Sequence, residues 1–252
     1  MSARPATRRY RLDVAYDGTA YAGWQIQPNG VTIQAALEEQ LAELAGGDRP
    51  KVHGSGRTDQ GVHARRQVAH VDLCGGMPPA ALARALNALL PADIRIVNAA
   101  YAHPAFHARR DAVAKEYRYC IWNGPVVPPF VRLYRTHVRP PLDVAAMREA
   151  AALLCGRHDF AAFTANPNRK VESTVRSLTA LDIRKRGREV TIVARGEGFL
   201  YKMVRSLAGW LIRVGEGAAP AAQTTEILAS RRRTARVPTA PPEGLFLWKV
   251  EY

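Results

Sequence analysis

Gly54-Ser-Gly-Arg-Thr-Asp-Gln-Gly-Val-His-Ala64 interrupts an otherwise regular succession of strand-like and helix-like segments. Three glycines and two small hydroxyl residues enclose Arg57 and Asp59. Glycine lets the backbone turn tightly and approach other groups closely, so the segment predicts a loop and neither a helix nor a regular strand. A charged pair fixed on such a loop, between two strand-like runs, is a candidate site for chemistry. On composition alone an aspartate in such a loop is more often a plain turn residue.

On the N-terminal side of the loop, Tyr10, Leu12, Val14 and Tyr16 alternate with polar or small residues and predict a strand over 8–16. Asp17-Gly18-Thr19 is a turn, and Thr32 caps a helix whose apolar stripe is Ile33, Leu37, Leu41 and Leu44, ended by Gly46-Gly47. On the C-terminal side a strand puts Val68 and His70 on one face and Ala69, Val71 and Leu73 on the other. Pro78-Pro79 opens a helix through Leu82, Leu86 and Leu89 that Pro91 stops, and 94–101 predicts another strand. Next comes a long strand over 112–122, with Val113, Lys115, Tyr117, Tyr119 and Ile121 on one face. Asp143 caps a helix through Val144, Met147 and Leu154 that Gly156 ends. Strands over 174–184 and 189–195 meet at Lys185-Arg186-Gly187-Arg188 as a hairpin. A helix from about 199 to 214, a short one near 223–232 and a closing strand Leu245–Tyr252 complete the chain.

Strands and helices mixed without a strict βαβ rhythm predict an α+β fold, a mainly antiparallel mixed sheet with flanking helices. Strand–helix–strand patterns recur in both halves. The reading is an N-terminal subdomain over 1–108, carrying the Asp59 loop, and a basic C-terminal subdomain over 109–252, together one catalytic domain.

The chain has 252 residues, a net charge of +14 and a pI near 10.3. The charge is uneven: 1–108 holds 11 basic and 9 acidic residues, whereas 109–252 holds 25 and 13. Such a surface calls for a polyanion, nucleic acid before an anionic membrane. No run approaches the roughly 20 apolar residues of a membrane span. The basic start of the chain lacks the apolar stretch of a secretory signal, so the cytoplasm is the expected location. Cys74, Cys120 and Cys155 are odd in number and far apart, which argues against zinc and against a disulfide framework. Gly54-Ser-Gly56 does not continue into a phosphate-binding Gly-Lys-[Ser/Thr], and Pro104 separates His103 from His107, so neither a nucleotide nor a metal cofactor is expected.

Two more candidates lie far from the loop. In 199–214, Phe199, Met203, Leu207 and Leu211 repeat at core spacing, while Lys202, Arg205 and Gly209 share another face. That face could bring a guanidinium to a carboxylate, or it could be a solvated basic face. Tyr117 and Tyr119 point the same way, as core or as a stacking platform for an extruded base.

These residues carry a resemblance. Gly56-Arg-Thr-Asp-Gln-Gly-Val-His63 resembles the active-site signature of the tRNA pseudouridine synthase A family. So do Ala15-Tyr-Asp-Gly-Thr-Ala-Tyr-Ala-Gly-Trp-Gln25, Phe106-His-Ala-Arg109, Lys115-Glu-Tyr-Arg-Tyr119, Phe199-Leu-Tyr-Lys-Met-Val-Arg205 and Glu243-Gly-Leu-Phe-Leu247, in the family's order across nearly the whole chain. The length resembles the bacterial type. The resemblance implies a pseudouridine synthase fold of two similar halves around a central cleft. It implies isomerisation of uridine to pseudouridine at positions 38, 39 and 40 of the tRNA anticodon arm. No cofactor or metal is implied, and the partners are tRNA and a second copy of the chain, with neither DNA nor membrane. Asp59 falls on the essential aspartate, as nucleophile. Tyr117 falls on the tyrosine that stacks on the target base and is a candidate acceptor of its C5 proton. Arg205 falls on the residue that pairs with the aspartate, and Arg57 on the arginine that holds the flipped nucleotide. Gln60 stands where alanine is common, and nothing is carried over to Asn166-Pro-Asn-Arg-Lys170. A non-catalytic basic RNA-binding module is the rival reading. A metal-dependent nuclease would need clustered acidic ligands, which the sequence does not offer.

Overall fold

A computed structural model describes residues 7–47, 49–165 and 172–252; the segment 166–170 singled out above lies outside them. The chain forms two compact units, Met1–Val113 with Leu247–Tyr252, and Ala114–Phe246. The closing strand, which the sequence reading placed with the C-terminal part, joins the first unit from Leu247 onward.

The first unit contains β1 (Thr7–Tyr16), α1 (Ile33–Leu44), β2 (His53–Gly54), β3 (His63–Cys74), α2 (Pro79–Leu89) and β4 (Ile94–Tyr101). β1 pairs antiparallel with both β3 and β4. Alternation along β1 decides its two faces. Tyr10, Leu12 and Val14 are fully buried, as are Ile33, Leu37 and Leu41 of α1 and Leu86 of α2, and these form the core. Thr32 caps α1 as its sequence predicts, its Oγ1 accepting from the Ala35 amide at 3.3 Å, a bond type that contributes about 1 kcal/mol. The opposite face of β1 bears Arg9, Arg11 and Asp13. Segment 102–113 lies across it: Arg9 donates to the Phe106 carbonyl at 2.8 Å, and the Tyr252 hydroxyl donates to that of Ala108 at 2.7 Å.

The second unit contains β5 (Ala114–Asn123), β6 (Thr136–Val138), α3 (Val144–Leu154), β7 (Gly156–Asp159), β8 (Val175–Arg186), β9 (Glu189–Gly196), α4 (Met203–Gly215) and α5 (Gln223–Ser230). Its strands run β5-β9-β8-β7, all antiparallel, with short β6 parallel to β5. The predicted hairpin is there, with Arg186 opposite Glu189. Asp143 caps α3 by accepting the Ala145 and Ala146 amides at 2.9 and 3.0 Å. β10 (Leu245–Glu251) ends the chain, and its residues from Leu247 flank β3. The α+β, mainly antiparallel architecture is the one the sequence predicts.

Three local expectations fail. The predicted helix over 199–214 starts only at Met203, because Lys202 takes a left-handed conformation at φ 55° that a helix cannot contain. Arg231, at φ 49°, likewise ends α5 at Ser230 and not at 232. The 54–64 segment is a loop only in its middle: Gly54 pairs with Ala69 at one end, and His63-Ala64 begins β3 at the other.

Candidate active site

The loop between β2 and β3 is pinned from beneath. Ser55 Oγ donates to Gln67 Oε1 at 2.6 Å in a buried bond, and Gln67 Nε2 donates to the Gly56 carbonyl at 2.8 Å. The Tyr16 and Thr58 hydroxyls share a buried hydrogen bond of 2.8 Å. The Trp24 amide donates to the Thr58 carbonyl at 3.1 Å, and the Val62 amide donates to that of Asp59 at 3.1 Å. Buried His63 accepts the Gly18 amide at Nδ1, 3.0 Å away. Gly23 is required for this docking. Its φ is +101°, and a Cβ there would lie 2.6 Å from the Thr58 carbonyl oxygen. Each anchor costs side-chain freedom, and together they fix the backbone on both sides of Asp59, which a solvent turn would not need. Asp59 itself is half-buried, while Arg57 and Gln60 are exposed. Arg57 Nε donates to Gln25 Oε1 at 3.1 Å.

In the second unit the two tyrosines of β5 separate in role. Tyr119 is core: its hydroxyl bonds Thr136 Oγ1 at 2.6 Å and donates to the Pro241 carbonyl at 2.9 Å, and burial raises its pKa. Tyr117, 8% exposed, sets its ring edge-on to Phe199 with centroids 5.0 Å apart. Phe199 is free to do this because it precedes α4. Arg205 is half-buried in the first turn of α4. Its Nε donates to the Ala240 carbonyl at 2.8 Å, and its carbonyl accepts the Ala240 amide at 2.9 Å. The face bearing Arg205 and Gly209 is therefore not a solvated basic face. Gly209 lets the 238–240 backbone lie against the helix, since a Cβ would collide with the Pro238 carbonyl. Asp59 and Arg57 thus stand on one loop of the first unit, and Tyr117 and Arg205 on β5 and α4 of the second.

One cluster was not legible in the sequence. His53, His70 and His107 place ring nitrogens within 4.8 Å of one another. His53 stacks on His70 with centroids 4.9 Å apart, and His107 packs edge-on to His70 at 4.8 Å. The donor set does not suit a metal. The Ala108 amide donates to His70 Nδ1 at 3.1 Å, and the Arg109 and Arg110 amides donate to His107 Nδ1 at 3.2 and 3.3 Å. A metal on the far nitrogen of either ring would need a proton where those amides already point. Burial first, then the neighbouring charges of His53, Arg9 and His107, pushes the His70 pKa down to about 4 and keeps the ring neutral.

A family model described as tRNA pseudouridine synthase matches residues 14–110 and 150–252. The chain belongs to the tRNA pseudouridine synthase family. Among its relatives, the tRNA pseudouridine synthase A of Brevibacillus brevis is 46% identical over 245 residues, covering 97% of this chain and all of that one. The tRNA pseudouridine synthase A of Chlamydia trachomatis is 45% identical, covering 98% and 92%. That of Syntrophotalea carbinolica is 46% identical, covering 96% and 95%. Among solved structures, an archaeal box H/ACA sRNP Nop10–Cbf5 complex overlaps 81% of this chain and 44% of its own at 16% identity and a TM-score of 0.34. The tRNA pseudouridine synthases are isomerases, and a carboxylate on a rigid loop is a group that such chemistry can use.

Proposed function

We propose that this tRNA pseudouridine synthase acts at positions 38, 39 and 40 of the anticodon arm, with Asp59 as its nucleophile. In this reading Tyr117 stacks on the flipped uracil and is the candidate acceptor of the C5 proton, Arg205 pairs with Asp59, and Arg57 holds the flipped nucleotide. The observation that carries it is the build of the 54–64 loop. The Tyr16–Thr58 hydrogen bond and the close approach of Gly23 hold the residue beside Asp59 on rigid elements, as a reacting carboxylate requires.

A glycosidic bond inside a paired stem is out of reach, so the nucleotide must leave the stack at a cost of a few kcal/mol. Stacking on an aromatic ring returns roughly 1–3 kcal/mol per base, and phosphate contacts add to it. Asp59 acts as a carboxylate. A guanidinium partner favours that charged form and fixes its orientation. Three first steps are open to it: attack on C1′, attack on uracil C6, or removal of a sugar proton. In each the C1′–N1 bond breaks, the uracil turns and C5 bonds to C1′, and in the third the proton taken from the sugar is returned to it. The proton lost from C5 balances the one gained at N1, so no redox partner or co-substrate enters. Among the described residues no helix is long and apolar enough to cross a membrane, and the same reading takes the enzyme as a cytoplasmic homodimer.

The test is an unmodified tRNA transcript incubated with the protein in a metal chelator, followed by chemical mapping of pseudouridine. Modification confined to 38–40 is the expected result. Modification elsewhere overturns the positions, and binding without modification overturns catalysis in favour of an RNA-binding module.

A further inference from the structure

Arginine supplies 30 of the 36 basic residues. Several of them are matched by a carboxylate: Arg9 lies 2.6 Å from Asp72, Arg66 2.8 Å from Asp13 and Arg118 2.7 Å from Glu116. Two half-buried arginines of the second unit are held by neutral groups instead. Arg233 donates from Nη1 to Ser206 Oγ at 2.7 Å and from Nη2 to Thr239 Oγ1 at 2.8 Å. Arg176 donates from Nη1 to the main-chain carbonyls of Ser173 and Val175 at 2.9 and 2.6 Å. Among the described residues neither forms a salt bridge. Burial alone lowers the pKa of both, with no carboxylate acting against it. A charge withdrawn from water without a counter-ion is costly, and neutral hydroxyls and carbonyls aim the guanidinium without balancing it. Among the described residues each side chain keeps three of its five N–H donors uncommitted.

Their placement is informative. Arg233 is held by the residues next to both members of the Arg205–Ala240 pair, Ser206 and Thr239. Arg176 lies beside Gly198, where a Cβ would sit 3.9 Å from its Nε, and Gly198 precedes the Phe199 that meets Tyr117. These two cations, each held by neutral groups, thus attend the two ends of the 198–206 segment.

We propose that Arg176 and Arg233 are phosphate-binding residues that grip the backbone of the substrate RNA beside Phe199 and Arg205. A phosphodiester offers one negative charge and two free oxygens, which match the planar fork of arginine. Contacts of this kind fix the register of the RNA without reading its bases. The proposal rests on tRNA being the substrate. The competing role is a clamp in which Arg233 merely positions Arg205.

Binding of an unmodified tRNA transcript is measured across a KCl series for the wild type, Arg176→Met, Arg233→Met and Arg233→Lys, with thermal melting of each and turnover of the wild type in parallel. Each Met variant is expected to lower the slope of log K against log salt by about 0.7 to 0.9 and to weaken binding about tenfold. Its melting midpoint should hold or rise, since a half-buried charge without a carboxylate is gone, and Arg233→Lys should keep the slope. Ser206 Oγ still donates to the Lys202 carbonyl at 3.1 Å, so the Met variant strands no hydroxyl there. A lowered midpoint with an unchanged slope overturns the proposal in favour of the clamp. Unchanged slopes with intact wild-type turnover overturn the arginine assignment alone, and a wild type that neither binds nor turns over the RNA overturns the functional reading with it.

Discussion

Replacing Gly23 by alanine should disable the enzyme without touching a reacting group. The backbone there has φ +101°, a region that costs an L-residue about 1–2 kcal/mol. The new methyl would lie 2.6 Å from the Thr58 carbonyl oxygen, 3.1 Å from the Asp59 carbonyl carbon and 3.2 Å from the Gln60 amide nitrogen. Ordinary contact needs most of an ångström more, and the obstacles are backbone on both sides of Asp59. The loop must retreat, and the Trp24-to-Thr58 bond of 3.1 Å stretches with it. Strain and the weakened bond together give a stability loss of about 2–4 kcal/mol, readable as a lower urea midpoint. A displacement of about 1 Å at a reacting carboxylate costs on the order of 10²-fold in rate. Single-turnover release of tritium from C5-labelled uridine in tRNA, with enzyme in excess, reads that rate directly. The 198–206 segment is untouched, so tRNA affinity should stay within about threefold of wild type. A folded Gly23→Ala variant with the wild-type single-turnover rate would refute the claim that close docking of this loop positions Asp59.

Three further outcomes follow from particular contacts. Tyr16→Phe deletes a buried hydroxyl and strands that of Thr58, so it should cost about 1–2 kcal/mol by urea denaturation and slow turnover more than it weakens tRNA binding. Tyr117→Phe should bind tRNA normally and lose only a proton-transfer contribution to the single-turnover rate. Tyr117→Ala opens a hole beside Phe199 and should also weaken binding; equal rates for the two variants would remove stacking from the role of Tyr117. His70 has a folded pKa of about 4, below the unfolded value near 6.5, so its neutral ring contributes stability that is present above pH 6.5 and lost as the pH falls toward 4. His70→Asn keeps an acceptor for the Ala108 amide and cannot titrate, so its melting midpoint should fall less than that of the wild type over this window.

Local signals made much of the fold readable. The caps Thr32 and Asp143, the stop at Pro91 and the hairpin at 185–188 each depend on a few adjacent residues, and each sits where the sequence puts it. Elements decided by distant partners were not readable. β2, β6 and β7 have two to four residues each, too short for any alternation to register. The helix drawn from Phe199 failed because Phe199 and Met203 have helical spacing for separate reasons. Met203 is core, whereas Phe199 serves Tyr117 from a turn that the left-handed Lys202 creates, and no rule of composition puts a lysine there. The candidate site residues were visible as a charged pair on a glycine loop and as a motif. Their supports were not, because Tyr16, Thr58, Gln67 and His63 read as ordinary strand and loop residues until the fold buries their polar atoms together. The His53–His70–His107 cluster was hidden in the same way, its members coming from three segments far apart in the chain.

The central claim is that Asp59 performs the chemistry and is not needed to hold the RNA. Asp59→Asn keeps the size of the side chain and removes the carboxylate. With tRNA fully bound to excess enzyme, pseudouridine at 38–40 is counted over several hours for this variant and the wild type. The account predicts binding within about threefold of wild type and no detectable pseudouridine from the variant, a loss of at least the order of 10⁴. Pseudouridine formed by Asp59→Asn at near the wild-type rate would contradict it.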